Sequence, residues 1–334
     1  MFINRKYTYW CLAFCIYSCN YPTVTETIND IETTTLIADT LSDYPYHLLH
    51  NTKINGNYLF IINPQDAGEM EVLDLEKNEW ISYPEESDKI NPDKLSIPIS
   101  FYQFSKYFEY SPDSLKLHYY KRFRYKNTEI NEVVRLDEDR FVSIGRYRQG
   151  LFGLIDIRKN KFEYFGTYPL KISIPFDGSE EDYFHLFKGK IATTKDRKTI
   201  IYGCRNIAYL SCYHLTKRKK LKFAWEKTLI KPDYYFKDKQ LQLNPDVNQG
   251  GFLDLCVVND KIYAGYAKFG RSDSIRSICT FDMSGKQLAV YQANVPLSRF
   301  WVSKNEQIYG LSAQNEPVII ALNKQITIPN DNLQ

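Results

Sequence analysis

Short apolar runs separated by polar turns fill the end of the chain. Between Gly251 and Leu322 they form two consecutive groups, one of four runs and one of three. The runs are Gly251–Val258, Ile262–Ala267, Ile275–Asp282 and Gln287–Gln292, then Arg299–Ser303, Ile308–Ser312 and Pro317–Leu322. β-rich runs between Asn, Asp and Gly turns are typical of strands joined by hairpins. Repeated four-strand groups of this size predict a β-propeller.

The same pattern extends back through the chain and predicts an all-β fold, a six-bladed β-propeller over residues 33–328. The four earlier units span about Tyr46–Pro84, Ile99–Tyr125, Asn131–Tyr168 and Phe184–Lys227. A lone strand, Thr33–Leu41, precedes them, and the last unit lacks a clear fourth strand. We therefore expect Thr33–Leu41 to pair with Pro317–Leu322 and close the ring. Residues 329–334 form a tail.

Two long insertions, Thr167–Asp182 and Lys231–Gly250, precede the first strands of the fourth and fifth units. Connections between successive blades emerge at one end of a propeller, so we expect both insertions at the same end. Long loops in a compact domain are usually functional or disordered. The second insertion holds Tyr234, Tyr235 and Phe236, which suit contacts with a partner. A loosely packed, solvated loop is the alternative.

The composition is that of an ordinary globular protein rich in tyrosine. Hydrophobic residues make up 43% and charged residues 25% of the 334 residues, and 27 are tyrosine. Tyrosine suits strands because its ring can be buried while its hydroxyl reaches water. The formal net charge is +3, and nothing in its distribution indicates a nucleic-acid surface.

The N-terminus has the pattern of a bacterial export signal over residues 1–18. Arg5 and Lys6 precede an apolar run, Tyr9–Tyr17, which is about half the length needed to span a bilayer. The sequence Ile16-Tyr17-Ser18-Cys19 resembles the lipobox of bacterial lipoproteins. The resemblance implies cleavage before Cys19, its acylation, and a tether over residues 19–32. An ordinary signal peptide with incidental cysteines is the alternative.

No pattern in the sequence indicates a metal or a cofactor. Four cysteines remain after the signal and the acylated residue are set aside, and all fall in predicted strands: Cys204, Cys212, Cys256 and Cys279. No CxxC spacing occurs among them, and buried free thiols behave as small hydrophobes. Of the five histidines, His47 and His50 are close in sequence, but they have no carboxylate or cysteine partner at ligand spacing. We therefore expect free thiols and no metal site.

The motifs of known propeller enzymes, nucleophile elbows and phosphate-binding loops are also absent from the sequence. The charged residues of most interest are Asp254, Arg271 and Arg299, each in or just after a predicted strand of the last two units. Inner strands of a propeller line its axis. Charged residues there either contact a ligand or form buried ion pairs.

The most distinctive stretch lies in the fifth unit. It comprises Gly251-Phe252-Leu253-Asp254, Lys261–Tyr266, Gly270-Arg271 and Phe281–Lys286. Together with the lipobox and the Thr-rich tether, it resembles the TolB-like six-bladed propeller lipoproteins of Bacteroidales. The resemblance covers the mature chain, although the second unit departs from the repeat. It implies a propeller anchored in the cell envelope, at the outer membrane, and implies no catalytic residues because the family has no established activity.

Three functional hypotheses follow. The leading one is a membrane-anchored, non-catalytic module that binds an envelope protein or a small ligand. The second is an enzyme acting on glycans or lactones, which would need inward carboxylate or amide side chains converging on one point of the central channel. The third is a surface glycan-binding lipoprotein, which would need exposed coplanar aromatic side chains.

Lipidation can be tested with Cys19→Ala, using Cys15→Ala in the predicted signal as the matched control. We expect a labelled fatty acid to be incorporated into the wild type and Cys15→Ala, but not into Cys19→Ala, because only Cys19 lies at the predicted cleavage site. The Cys19→Ala chain should be uncleaved or released from the membrane. Fatty-acid labelling of Cys19→Ala would contradict the prediction.

Overall fold

The structure is a computed structural model that describes residues 24–25, 33–43, 52–55, 57–62, 70–83, 85–86, 90, 99–103, 106–110, 117–120, 129–169, 178–217, 220–238, 240–248, 250–268, 274–313 and 317–324. Within these residues the protein is almost entirely β, with one short helix, α1 (Glu180–Phe187). No helix in these ranges is long and apolar enough to span a bilayer.

Two strands, β1 (Val24–Thr25) and β2 (Thr33–Asp43), precede a series of antiparallel sheets. Sheet I contains β3 (Thr52–Asn55), β4 (Tyr58–Ile62), β5 (Met70–Asp74) and β6 (Glu79–Tyr83). Sheet II contains β7 (Ile99–Gln103), β8 (Lys106–Tyr110) and β9 (Leu117–Tyr120). Sheet III contains β10 (Glu129–Arg135), β11 (Arg140–Arg146), β12 (Phe152–Asp156) and β13 (Lys161–Phe165).

Sheet IV follows the helix and contains β14 (Gly189–Thr193), β15 (Thr199–Cys204), β16 (Tyr209–Leu215) and β17 (Leu221–Thr228), with β1 parallel to β17 at the edge. A separate hairpin consists of β18 (Tyr234–Lys237) and β19 (Gln240–Leu243). Sheet V has seven strands: β20 (Gly250–Val258), β21 (Lys261–Lys268), β22 (Ile275–Asp282), β23 (Gln287–Val302), β24 (Ile308–Ser312), β25 (Val318–Lys324) and β2.

Apolar side chains pack between consecutive sheets rather than in one central core. One buried cluster joins sheets III and IV, a second joins sheet IV to β20–β22, a third joins the two halves of sheet V, and a fourth joins β23–β25 to sheet I. Members from both sides of these interfaces are Phe152 and Tyr202, Leu210 and Phe252, Tyr263 and Phe300, and Leu311 and Leu59. Each fully buried side chain of this kind contributes about 1.5–3 kcal/mol. The last sheet therefore packs against the first.

The first strands of the sheets are neighbours in space. β7 lies beside β10, β10 beside β14, β14 beside β20, β20 beside β23, and β23 beside β3. Sheets that pack face to face around adjoining first strands define a propeller-like fold. The structure therefore confirms the prediction of an almost entirely β, propeller-like fold.

Turn chemistry explains where the strands end. Asp74, Asp156 and Asp282 each end a third strand, and each accepts backbone N–H groups of the following turn through Oδ1. Each of these turns contains one residue with a positive φ. These residues are Asn78, Asn160 and Gly285, with φ of 56°, 50° and 86°. Asn and Gly tolerate this conformation at little cost. The Asn/Asp/Gly turns seen in the sequence are therefore real hairpin ends.

The predicted pairing of the N-terminal strand is confirmed. β2 runs antiparallel to β25, with Leu36 opposite Lys324 and Ala38 opposite Leu322, and its first residues run parallel to β23. Leu36 is 1% exposed and belongs to the cluster between the two halves of sheet V. β2 thus covers the edge that β25 would otherwise expose.

Three parts of the sequence interpretation are wrong. The fourth unit does not begin with a strand at Phe184, because residues 180–187 form α1. Its first strand is β14, which begins at Gly189. The second insertion is not a plain loop, because it folds into the β18–β19 hairpin. β23 is one continuous strand of 16 residues, whereas two separate runs were expected.

In the first unit β3 lies at Thr52–Asn55, and residues 47–51, which the sequence also predicts as a strand, lie outside the described ranges. In the second unit three strands, β7, β8 and β9, are described. Val24–Thr25, expected within the tether, form the short strand β1. Cys204, Cys212, Cys256 and Cys279 are free thiols, as expected.

The role of β2 can be tested by comparing two neighbouring residues. Leu36→Ala should lower the free energy of unfolding by about 2–5 kcal/mol, because it leaves a cavity in a buried cluster. Ile37→Ala, on the exposed face of the same strand with Ile37 38% exposed, should cost under about 1 kcal/mol. Denaturant unfolding measures both values. Equal losses would contradict the placement of β2.

Candidate functional site

Five first strands each carry a charged residue on the side where the sheets meet. Lys53 lies on β3, Glu132 on β10, Lys190 on β14, Asp254 on β20 and Arg299 on β23. We call these five residues the first-strand cluster. The sequence of β7, Ile-Ser-Phe-Tyr-Gln, has no charged residue. The cluster therefore contains three cationic and two anionic side chains.

β-Bulges position three of these residues. The pairing register shifts directly before the charged residue in β10, β20 and β23, at Asn131 before Glu132, at Leu253 before Asp254, and at Ser298 before Arg299. An extra residue in one strand bends it and redirects the following side chains. Without the shift, the alternation of a strand would send these side chains to the opposite face. The repeated bulge therefore determines which way the charges point.

Glu132 links sheet III to sheet IV through both of its carboxylate oxygens. Oε2 accepts a hydrogen bond from the backbone N–H of Ile191 at 3.2 Å. Oε1 lies 3.6 Å from the Nζ atom of Lys190. The carboxylate thus contacts two consecutive residues of the next first strand.

Asp254 makes the corresponding link inside sheet V. Its Oδ2 atom accepts a hydrogen bond from the backbone N–H of Phe300 at 3.3 Å, and Oδ1 accepts one from Leu255 at 3.0 Å. Phe300 directly follows Arg299, as Ile191 directly follows Lys190. The two acidic residues therefore bind the next first strand at equivalent positions, each one residue after a cation.

The pKa of Lys53 depends on the other charges of the cluster. The Lys53 side chain is accessible to water, yet loss of solvation is the largest cause of its lowered pKa. The negative charges of Glu132 and Asp254 raise the pKa of Lys53. The positive charges of Lys190 and Arg299 lower it further. All four other charges thus act on Lys53. The first-strand cluster is one electrostatic unit.

The two insertions form a cap beside sheets III and IV. Ser179 begins α1 with a capping box, in which its hydroxyl accepts the backbone N–H of Asp182 and the Asp182 carboxylate accepts the backbone N–H of Ser179. The helix lies against β19, and Leu186 and Leu241 belong to one buried cluster. The insertions therefore lie together, as the sequence predicts.

Charged and aromatic contacts hold α1 to sheet III. Glu181 lies 2.9 Å from Arg146 and 2.7 Å from the imidazole of His185. The rings of Tyr168 and Phe187 are 5.0 Å apart. A cavity of about 30 Å³ remains under the helix, with room for little more than a water molecule.

The aromatic residues predicted as partner contacts do not lie on one common surface. Tyr234 packs against the cluster between sheets III and IV, and its hydroxyl is buried with no hydrogen-bond partner among the described residues. Tyr235 and Phe236 are 41% and 43% exposed. They are consecutive in β18 and therefore point to opposite faces of the hairpin. They do not form one flat stacking surface.

Two of the three predicted charged residues, Asp254 and Arg299, belong to the first-strand cluster. Arg271 and Cys19 lie outside the described residues. The sequence interpretation missed Lys53, Glu132 and Lys190. A charge in the first strand of successive units was the available signal, but charged residues are also common on the exposed faces of strands.

The described residues contain no group of three or more His, Cys, Asp or Glu side chains placed to hold a metal ion. The four free thiols are also poor nucleophile candidates. Burial raises the pKa of Cys212 and Cys279 to about 12, so the reactive thiolate is rare at neutral pH.

Comparisons with known proteins show likeness of fold alone. No protein-family model matches the sequence, and neither does any curated protein. A member of the DUF4221 family from Bacteroides vulgatus has a TM-score of 0.51 at 12% identity, over 89% of this chain and 98% of that chain. The TolB-like family assignment stays a prediction.

Two further solved structures score lower. A luciferin-regenerating enzyme has a TM-score of 0.47 at 9% identity, over 86% of this chain and 95% of that chain. An auxiliary nutrient binding protein from Bacteroides thetaiotaomicron has a TM-score of 0.44 at 8% identity, over 82% of this chain and 68% of that chain. No functional inference is taken from either.

The electrostatic coupling of the cluster can be tested by acetylating lysines at several pH values and quantifying peptides by mass spectrometry. Lys53 should titrate below the ordinary lysine pKa of about 10.4. Lys190→Gln should raise the pKa of Lys53 because it removes a like charge, and Glu132→Gln should lower it further. Lys159, 74% exposed in an outer turn, serves as the accessibility control. An unchanged Lys53 titration in both variants would contradict the coupling.

Proposed function

We propose that this protein is a lipid-anchored module of the cell envelope that binds a small ligand or a partner protein without transforming it. The observation that carries the proposal is the first-strand cluster, in which charged side chains from five strands act on one another around adjoining first strands. Charged groups with reduced solvation raise the free energy of the folded protein unless they pair with one another or bind a ligand.

The proposal includes several finer features. Sheets I to IV and the two halves of sheet V would make six blades, as in TolB-like propeller lipoproteins. Residues 1–18 would be removed as a signal peptide, and Cys19 would carry the lipid that holds the protein at the outer membrane. The lipobox-like sequence before Cys19 supports this anchor.

A second contact surface is part of the proposal. The cap exposes Tyr235 and Phe236 at the tip of its hairpin, and exposed aromatic residues are enriched at protein interfaces. Tyr235 is held in place because its hydroxyl donates to Oε1 of Gln242 at 2.9 Å. A partner protein would contact this tip, whereas a small ligand would contact the first-strand cluster.

The two alternatives gain no support from the described residues. The enzyme hypothesis needs several free carboxylate or amide groups at one point, but the carboxylates of Glu132 and Asp254 each have both oxygens in contact with a hydrogen-bond donor or cation. The glycan hypothesis needs coplanar aromatic rings, but Tyr235 and Phe236 point to opposite faces of β18.

The proposed function can be tested by purifying the tagged full chain from detergent-solubilised envelopes and identifying what remains bound by native mass spectrometry. We compare the wild type with two double variants, Lys53→Gln/Arg299→Gln in the cluster and Tyr235→Ser/Phe236→Ser in the cap. Lys159→Gln is the matched control for the loss of one exposed lysine.

We expect a bound molecule in the wild type and the control that is lost from one of the two double variants. A small molecule should depend on the cluster, and a protein should depend on the cap. The same molecules bound to all four proteins would contradict the proposal. A chemically converted small molecule would support the enzyme alternative instead.

A further inference from the structure

We propose that the first-strand cluster binds an anionic group, a carboxylate or a phosphate, between Lys53 and Arg299. The inference rests on the proposed function and names the chemical class of its ligand. It follows from which charges of the cluster are already engaged and which are not.

The negative charges of the cluster are engaged within the protein. Glu132 uses one carboxylate oxygen for the backbone N–H of Ile191 and the other for Lys190. Asp254 uses its two oxygens for backbone N–H groups of Leu255 and Phe300. Each oxygen of both carboxylates therefore already has a donor or a cation of the protein beside it. The cluster is therefore not arranged to bind a positive ligand.

Two of the positive charges are not engaged. Within the described part of the chain, neither the ammonium of Lys53 nor the guanidinium of Arg299 has a hydrogen bond or an ion pair. Lys190, by contrast, is paired with Glu132. An ammonium group has three donors and a guanidinium group has five. The cluster thus presents unused donors together with an excess of one positive charge, since three cations face two anions.

The two free cations are also close to each other. β3 lies beside the part of sheet V formed by β23, so Lys53 and Arg299 are on neighbouring first strands. Each charge acts on the other, and the repulsion from Arg299 contributes to the lowered pKa of Lys53. A bound anion would relieve this repulsion and raise the pKa of Lys53.

The backbone on both sides of Arg299 is fixed by the structure. The bulge at Ser298 precedes it, and the backbone N–H of the next residue, Phe300, donates to Asp254. Phe300 itself is 2% exposed. The guanidinium of Arg299 can make two parallel hydrogen bonds to a carboxylate or to a phosphate, and the ammonium of Lys53 adds a point charge.

The test is calorimetric titration of the full chain in detergent with inorganic phosphate and, separately, with succinate, at constant ionic strength set by chloride. The variants are Lys53→Gln and Arg299→Gln, and Lys159→Gln is the control. Lys53→Gln carries the test if Arg299→Gln fails to fold, because the Lys53 side chain is exposed and has no hydrogen bond or ion pair among the described residues. Circular dichroism checks the fold of each.

We expect the wild type to bind at least one of the two anions. Each cluster variant should bind it about tenfold or more weakly, since a hydrogen bond to a charged group contributes about 1.5–3 kcal/mol. Lys159→Gln should match the wild type. Phosphate binding alone would identify a phosphate ligand, and succinate binding alone a carboxylate ligand.

Failure of the two anions to bind, or unchanged affinity in Lys53→Gln, would overturn the inference. The proposed function would survive that outcome if a neutral molecule still co-purified with the wild type and were lost from the Lys53→Gln/Arg299→Gln variant. If neither anion binds and no co-purified molecule depends on the cluster, both the proposed function and the proposed ligand class are wrong. The rate of Lys53 acetylation provides a second measurement. A bound anion should raise the pKa of Lys53 and therefore slow its acetylation.

Discussion

The pairing of β2 with β25 is the interaction on which the rest of the arrangement depends. Each sheet packs through its two faces, so a series of sheets buries its apolar side chains fully only when the last sheet also meets the first. β2 brings the start of the chain to the last sheet and places Leu36 in the cluster between the halves of sheet V. Trp301 and Leu311 of that sheet then pack with Leu59 of sheet I. The first strands then lie beside one another from β7 through β10, β14, β20 and β23 to β3.

Within that order, the first strands meet two demands. They pack against sheets on either side, and they also present charged side chains where they meet. An ideal strand alternates its side chains strictly, so it cannot easily do both. The bulges at Asn131, Leu253 and Ser298 resolve the conflict, because each changes the register directly before a charged residue. The site is therefore built by departures from regular strand pairing.

The carboxylates of Glu132 and Asp254 then join first strands that share no backbone ladder. Sheet III and sheet IV are separate sheets, and the bond from Ile191 N–H to Glu132 crosses the boundary between them. The bond from Phe300 N–H to Asp254 does the same between the two ends of sheet V. A hydrogen bond to a charged acceptor is about twice as strong as a neutral one. These acidic residues have a structural role, which leaves the binding role to the cations.

The sequence predicts the strands well because their determinants are local. The run Ile275–Asp282 coincides with β22, and Asp and Asn residues mark hairpin ends such as Asp156 to Asn160. Helix α1 was missed although Ser179 and Asp182 have the spacing of a capping box, because the apolar residues after it suited a strand as well. The merging of two units in β23 was also missed.

The site was harder to predict because its determinants are not local. A bulge is defined by the partner strand, so Asn131 gives no sign in its own sequence that it shifts the register of β10. Lys53 and Glu132 look like ordinary exposed charges of strands until the fold brings β3, β10 and β23 together. Asp254 and Arg299 were found because they stand out in apolar runs. Sequence pattern therefore identifies charges within apolar runs more readily than charges in strands of mixed composition.

The cap and the first-strand cluster are joined by short connections, and this limits how α1 can move. The helix ends at Phe187, whose carbonyl accepts a hydrogen bond from the Tyr202 hydroxyl, and β14 begins two residues later. Its first turn is held by Glu181 and Arg146, which are 44% and 38% exposed, and exposed ion pairs contribute little. The end next to Lys190 is therefore fixed to sheet IV, whereas the first turn is held by its capping box and by the stacking of Tyr183 on Tyr168.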